Sequence, residues 1–159
     1  MMKRLLAIAT LSVGLLAGSQ LLPVASPALA QTAETREMGL FVNLTTDDTW
    51  AAAKAISFAH QRVLKAGYSP VAIWMNVRAV YLADRKRASH VHGLMRESDK
   101  SIQDMLTDFI ADGGRVIMCG ACSKAAGLTL EDYIDGVEMG SPDIVLPLLF
   151  DPDIKTLGW

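Results

Sequence analysis

The chain has 159 residues, with 15 lysines and arginines against 17 aspartates and glutamates, a formal net charge of −2, and a 51% hydrophobic composition. That length accommodates one domain with a sizeable core. The slightly acidic balance argues against a general nucleic-acid binder, which needs a basic surface.

In chain order, Met1-Met2-Lys3-Arg4 is a short basic segment, Leu5 to Leu22 is an apolar run lightened by Ser, Thr and Gly, and Ala28-Leu29-Ala30 is a small-x-small site before Gln31. This is the pattern of a secretory signal peptide over residues 1–30, cleaved at about Ala30/Gln31. A retained N-terminal anchor is the competing reading, because the apolar run approaches the length that spans a bilayer. The polar interruptions and the Ala-x-Ala site favour cleavage. No cysteine follows the run, so a lipid anchor is not available. Removing 30 residues leaves 129 of the 159, and loss of Lys3 and Arg4 lowers the basic count from 15 to 13 against 17 acidic residues, a net charge of −4. No second apolar run is long enough for stable membrane insertion after cleavage. The expected mature protein is soluble and periplasmic or secreted.

Residues 31–37 read as a disordered lead-in to a single domain over 38–159. Met38 to Leu44 is an apolar run with the length of a buried strand, and Thr45-Thr46-Asp47-Asp48 is a turn and cap cluster. A helix follows through the alanine-rich stretch to Ala66 and stops at Gly67, with Ala52, Ile56, Ala59 and Val63 on one face. Val71 to Met75 is a second strand, leaving room for a right-handed parallel crossover. Val77 to Ala83 is ambiguous, compatible with a short helix, and Asp84 to Glu97 shows no clear period.

Ser98 predicts the cap of a helix whose apolar face is Ile102, Met105, Leu106, Phe109 and Ile110, ended by Gly113-Gly114. Arg115 to Met118 is a third buried strand that delivers the chain into Cys119-Gly120-Ala121-Cys122. Beyond the cysteines, Ser123 to Ala126 continues a short helix to Gly127, and Thr129 caps another through Ile134. Ser141-Pro142 opens a helix running to Phe150 that Pro147 should kink or shorten, and Ile154 to Trp159 is a terminal strand. Alternating strands and helices give an α/β domain with a mainly parallel sheet and helices on both faces.

Cys119 and Cys122 are the two cysteines of the chain. In sheets of this kind ligands bind at the carboxyl edge, where Cys119, the 43–48 loop and the 76–78 loop all fall. A thiolate at a helix N-terminus is stabilised by unpaired N–H groups and the helix dipole. Three readings of the pair are open. A structural disulfide would close so small a loop that chain entropy yields at most about 2 kcal/mol. A soft-metal site, Cu or Zn, would need two further ligands, with His60, His90, His92 or Met118 as candidates. A reactive dithiol needs only the attacking thiolate and its resolving partner, and fits sulfurtransferase or thiol–disulfide exchange activity. The reactive reading fits placement and export best. A thioredoxin-like fold is disfavoured, because there the motif follows the early strands, and Met118 stands where an aromatic residue usually precedes the first cysteine. Heme attachment is excluded by Ser123, where that motif needs histidine.

The segment Val116-Ile117-Met118-Cys119, followed by Ser123-Lys124-Ala125-Ala126-Gly127, resembles the DsrE/DsrF/TusD-like sulfur-carrier proteins. In that family a strand ends in a cysteine, and a small-residue helix closes at a glycine spaced as Gly127 is from Cys119. The resemblance extends to the opening strand, the alanine-rich helix, the glycine-ended helix before Arg115 and the C-terminal strand. It implies a three-layer α/β/α sandwich around a mostly parallel sheet of about five strands, commonly a homo-oligomer. It also implies that Cys119 carries sulfur as a persulfide between a donor, either a protein thiol or a small sulfur species, and an acceptor thiol, with no cofactor. Export and the second cysteine depart from the cytoplasmic relay. Cys122 can resolve a Cys119 persulfide into a disulfide with release of sulfide.

Arg85-Lys86-Arg87 with Arg96 could attract a sulfur oxyanion or an acidic partner, although a solvated loop explains the same residues. Lys124 is placed to stabilise a thiolate or to point into solvent. Asp47 and Asp48 can move protons or cap a helix, and capping needs less machinery. Trp50, Trp74 and Trp159 show no cage pattern and are expected in the core or at an interface.

Overall fold

The computed structural model describes residues 37–88 and 99–159. Five strands form one sheet: β1 (Gly39–Leu44), β2 (Val71–Met75), β3 (Arg115–Cys119), β4 (Glu138–Gly140) and β5 (Ile154–Gly158). Their order is β4-β3-β2-β1-β5, and every neighbouring pair is parallel. The helices are α1 (Thr49–Ser57), α2 (Ile102–Ala111), α3 (Gly120–Ala126) and α4 (Pro142–Leu149).

The period of two along each strand divides the sheet between two cores. Leu40, Val42 and Leu44 of β1, Ile73 and Met75 of β2, and Val116 and Met118 of β3 pack with Ala52 and Ile56 of α1 and with Leu106 and Phe109 of α2. Their neighbours Phe41, Ala72 and Ile117 turn to the other face, against Val145 and Leu148 of α4. The result is the expected α/β sandwich around a five-stranded parallel sheet.

Local chemistry explains most boundaries. Asp48 caps α1 by accepting from the Ala51 N–H at 2.8 Å. The helical path continues to Ala66 and ends at Gly67 in the left-handed region, φ +88°, as expected. From Phe58 to Val63, however, it widens into a π turn. The wider turn rotates the later residues, so Ala59 and His60 are buried while Val63 is only partly covered. Val77–Ala83 is a 3₁₀ segment.

The cap of α2 is Ser101. Its side chain accepts from the Asp104 N–H at 3.1 Å while the Asp104 carboxylate accepts from the Ser101 N–H at 2.9 Å, a reciprocal box that starts the helix three residues after the expected Ser98. Ser98 itself lies outside the described residues. The helix capped by Thr129 is shorter than expected, Leu130–Asp132, because Tyr133 turns extended to bridge Asp84. Pro147 lies inside α4 without ending it, and the Phe150 N–H still reaches the Leu146 carbonyl at 3.0 Å. Strand β4 is not foreshadowed by any apolar run. It forms by tertiary pairing with β3, and the Arg115 guanidinium grips the Glu138 carboxylate through two bonds of 2.8 and 2.7 Å.

Candidate functional site

β3 ends at Cys119, whose backbone is still extended at φ −63°, ψ 110°, and α3 starts at the next residue. Cys119 therefore occupies the N-cap position, and its Sγ accepts from the Cys122 N–H at 3.2 Å. One helical turn sets the two Cα atoms 5.2 Å apart, within the usual disulfide range, and the two sulfurs are bonded. Cys119 is 9% exposed, whereas Cys122 is only partly buried.

The two sulfurs face different surroundings. Cys122 Sγ receives the Val77 N–H at 3.3 Å and lies 3.0 Å from the Asn76 Oδ1, to which a reduced thiol would donate. Asn76 Nδ2 in turn reaches the Asn43 Oδ1 at 3.4 Å. The ends of β1, β2 and β3 thus converge at the carboxyl edge, with Asn76 and Val77 touching Cys122 directly and Asn43 behind them. Val77 is held at φ +50°, a left-handed conformation that a β-branched residue rarely adopts. Next to it, Arg78 pairs with Asp47 through bonds of 3.0 and 2.5 Å, and that hydrogen bonding holds the Asp47 carboxyl below the usual carboxylate range.

Cys119 borders a cavity of about 350 Å³ on the α4 side, walled by Trp74, Pro142, Val145 and Leu146 together with the Gly120 and Gly140 backbones. Among the described residues no charged side chain lines it. The buried Trp74 Nε1–H has no hydrogen-bond acceptor among the described residues.

Behind Cys119 is a buried relay that residue patterns did not reveal. The Tyr133 hydroxyl donates to Ser123 Oγ at 2.7 Å, and Ser123 Oγ donates to the Cys119 carbonyl at 2.9 Å. Burial pushes the Tyr133 phenol above its ordinary value. The one clue in sequence is the i to i+4 spacing from Cys119 to Ser123, which lets a hydroxyl bond back to a carbonyl one turn earlier.

The basic residues singled out in sequence are engaged in other contacts. Arg85 donates to the Tyr133 carbonyl and to Asp135, the latter at 3.1 Å. Lys86 pairs with Asp132 at 2.8 Å, and that bond, with two from Thr129, lowers the Asp132 carboxyl to about 2. The Arg87 guanidinium stacks 4.0 Å above the Tyr81 ring. None of the three lines the Cys119 cavity. Lys124 is exposed in the last turn of α3. Arg96, His90 and His92 lie outside the described residues. His60 is buried in the π turn that follows α1, with its ring nitrogens on Asp112 at 2.7 Å and Gln61 at 3.0 Å. Among the described residues no group of three or more His, Cys, Asp or Glu could hold a metal ion, and no helix is long and apolar enough to cross a membrane. Trp50 is largely exposed, Trp74 divides its contacts between the second core and the cavity, and Trp159 packs on Phe58 with ring centroids 6.1 Å apart.

Fold and site together define a parallel α/β sandwich carrying a Cys-x-x-Cys disulfide at the carboxyl end of its third strand. Among solved structures the chain is similar to the ychN protein from E. coli, with a TM-score of 0.57 at 18% identity, covering 78% of this chain and 100% of that one. It is also similar to MTH1491 from Methanobacterium thermoautotrophicum, a protein of unknown function, with a TM-score of 0.54 at 16% identity over 77% of this chain and 100% of that one. At these identities the likeness shows the fold alone. A stretch of 38 residues is 47% identical to the uncharacterized protein MK0008 of Methanopyrus kandleri, covering 24% of this chain and 31% of that protein. The match spans less than a third of that relative's length. No family model matches the chain.

Proposed function

We propose that this protein is an exported sulfur carrier or thiol-redox protein in which Cys119 accepts sulfur and Cys122 resolves it. The observation that carries the reading is the position of Cys119: it ends a central strand, caps α3 and has Cys122 within bonding reach. In the reduced protein the Cys119 thiolate attacks the outer sulfur of a donor persulfide, the S–S bond of the donor breaks, and the donor departs as its thiol. Cys119 then holds the persulfide. An acceptor thiolate can take that sulfur. Alternatively Cys122 attacks Cys119 Sγ, forming the disulfide and expelling hydrosulfide, so that no external oxidant is required. The Cys122 N–H on Cys119 Sγ stabilises the thiolate that begins the cycle. The bonded pair supports thiol–disulfide exchange as a companion activity.

Export rests on the leader-like residues 1–30, and a homo-oligomer on the family resemblance. Sequencing the N-terminus of protein recovered from the periplasm should find Gln31. For the carrier role, reduced protein is incubated with polysulfide or thiosulfate and its intact mass measured. The mass should rise by whole sulfur atoms in the natural chain and not in a Cys119→Ser variant. An unchanged mass in the natural chain would sink the carrier reading.

A further inference from the structure

The disulfide separates two environments. On the Cys122 side are the Val77 N–H and the amides of Asn76 and Asn43. On the Cys119 side is the apolar cavity, which Cys122 does not line. We infer that the cavity is a binding site for small organic thiols with an uncharged, apolar body, which form a mixed disulfide with Cys119. This deepens the proposed function and rests on its reading of the pair as reactive.

Three observations carry the assignment. The cavity of about 350 Å³ is at the small end of the range for ligand sites, so it suits a compact organic group and not a protein surface. Among the described residues its side-chain walls, Trp74, Pro142, Val145 and Leu146 with the hydroxyl of Ser141, contain no cation to compensate an anion, so the charge of a thiosulfate or sulfonate group would be left unneutralised there. The placement of the sulfurs also gives the displacement a direction. The thiolate form of RSH attacks Cys119 Sγ from the cavity, the Cys119–Cys122 bond breaks, and its electron pair leaves on Cys122 Sγ. Negative charge therefore moves from the apolar wall to the side where the Val77 N–H receives it. The proton lost by RSH ends on Cys122, whose thiol can donate to the Asn76 Oδ1. The product is a Cys119–S–S–R mixed disulfide with one free thiol at Cys122, and the thiol itself is the only reductant.

The test compares two thiols of similar acidity, benzyl mercaptan and 2-mercaptoethanesulfonate, on the oxidised full-length protein. Reactions are quenched with an alkylating agent, and the adduct is located by peptide mapping. Benzyl mercaptan should react about tenfold faster or more, with RS on Cys119 and the alkyl group on Cys122. Leu146 is 47% exposed at the cavity wall, so it can be changed without opening the core. Leu146→Lys should speed the sulfonate thiol, and Leu146→Glu should slow it, with folding checked by circular dichroism. Equal rates for the two thiols, or an adduct on Cys122, would overturn the inference. Persulfide loading without thiol preference removes this inference alone, preference without persulfide loading removes the carrier reading alone, and inertness to both thiols removes the reactive pair itself.

Discussion

Val77 offers a test in which the sign of the effect, as well as its size, is diagnostic. Its φ of +50° places a β-branched side chain in the left-handed region, which costs on the order of 1–3 kcal/mol at such positions. The side chain is 56% exposed, so removing it forfeits little burial. Val77→Gly relieves the strain, while the greater freedom of glycine in the unfolded chain takes back roughly 0.5–1 kcal/mol. The net expectation is a stabilisation of about 1 kcal/mol, read as a rise in Tm of about 2–4 °C for a domain of this size, or as a higher urea midpoint at unchanged slope. The strain has a local use, because it directs the Val77 N–H at Cys122 Sγ, 3.3 Å away. Glycine holds the same φ without that cost, so the N–H stays on Cys122 Sγ and the reduced Cys122 should be alkylated at an unchanged rate while the protein becomes more stable. A Val77→Gly variant destabilised by about 1 kcal/mol, as at an unstrained exposed position, would refute the reasoning.

Ser123→Ala should cost about 1–3 kcal/mol, more than Tyr133→Phe at about 1 kcal/mol, because only the first leaves a buried phenol without an acceptor; urea denaturation of both variants and the double variant measures this. Gly39→Ala should destabilise by about 1–3 kcal/mol, since the new Cβ would meet the Pro70 carbonyl at 2.4 Å, whereas Gly158→Ala, with nothing within 4 Å, should be near neutral in the same assay. Acid should weaken the fold through Asp47, Asp112, Asp132 and Glu138, held below their ordinary values by hydrogen bonds from Arg78, His60, Lys86 and Arg115 respectively. A depressed folded-state value means that each contribution is intact above the unfolded values, near pH 4, and is lost as pH falls toward Asp132's value of about 2. Thermal melts should show Tm dropping through that window; a flat Tm would contradict the assignment.

The elements most legible in the sequence are those whose signals are local. Apolar runs announce β1, β2 and β3, while Asp48, Gly67 and Gly113 mark helix ends through their own side chains or backbone freedom. Strand β4 is invisible by the same logic: Glu138, Met139 and Gly140 become a strand because β3 offers an open edge and Arg115 a counter-charge. Two serines, Ser98 and Ser101, precede α2 in the sequence, and only the reciprocal bonding with Asp104 selects Ser101 as its cap. At the site, the Cys-x-x-Cys pair is explicit in the chain, and strand order suffices to bring the 76–78 loop to it. The Ser123–Tyr133 relay and the Trp74–Val145 cavity are assembled from residues far apart in sequence, and the strain at Val77 is imposed by tertiary contacts, so no local pattern encodes them.

Strand β5 has a consequence for how the domain comes into being. It pairs with β1, so β1, the first of the described strands in chain order, stays an open, apolar edge until Ile154–Gly158 has been made. Trp159 extends the coupling, donating to the Asn43 carbonyl at 3.0 Å and accepting from Thr45 Oγ1 at 2.8 Å, at the end of the strand whose Asn43 backs Asn76 beside the disulfide. Such long-range parallel closure is slow, and it keeps a nascent chain from completing its sheet early. The cysteine-bearing edge therefore matures only once Ile154–Gly158 has paired, and a chain cut between Cys122 and Ile154 would carry both cysteines beside an unfinished sheet.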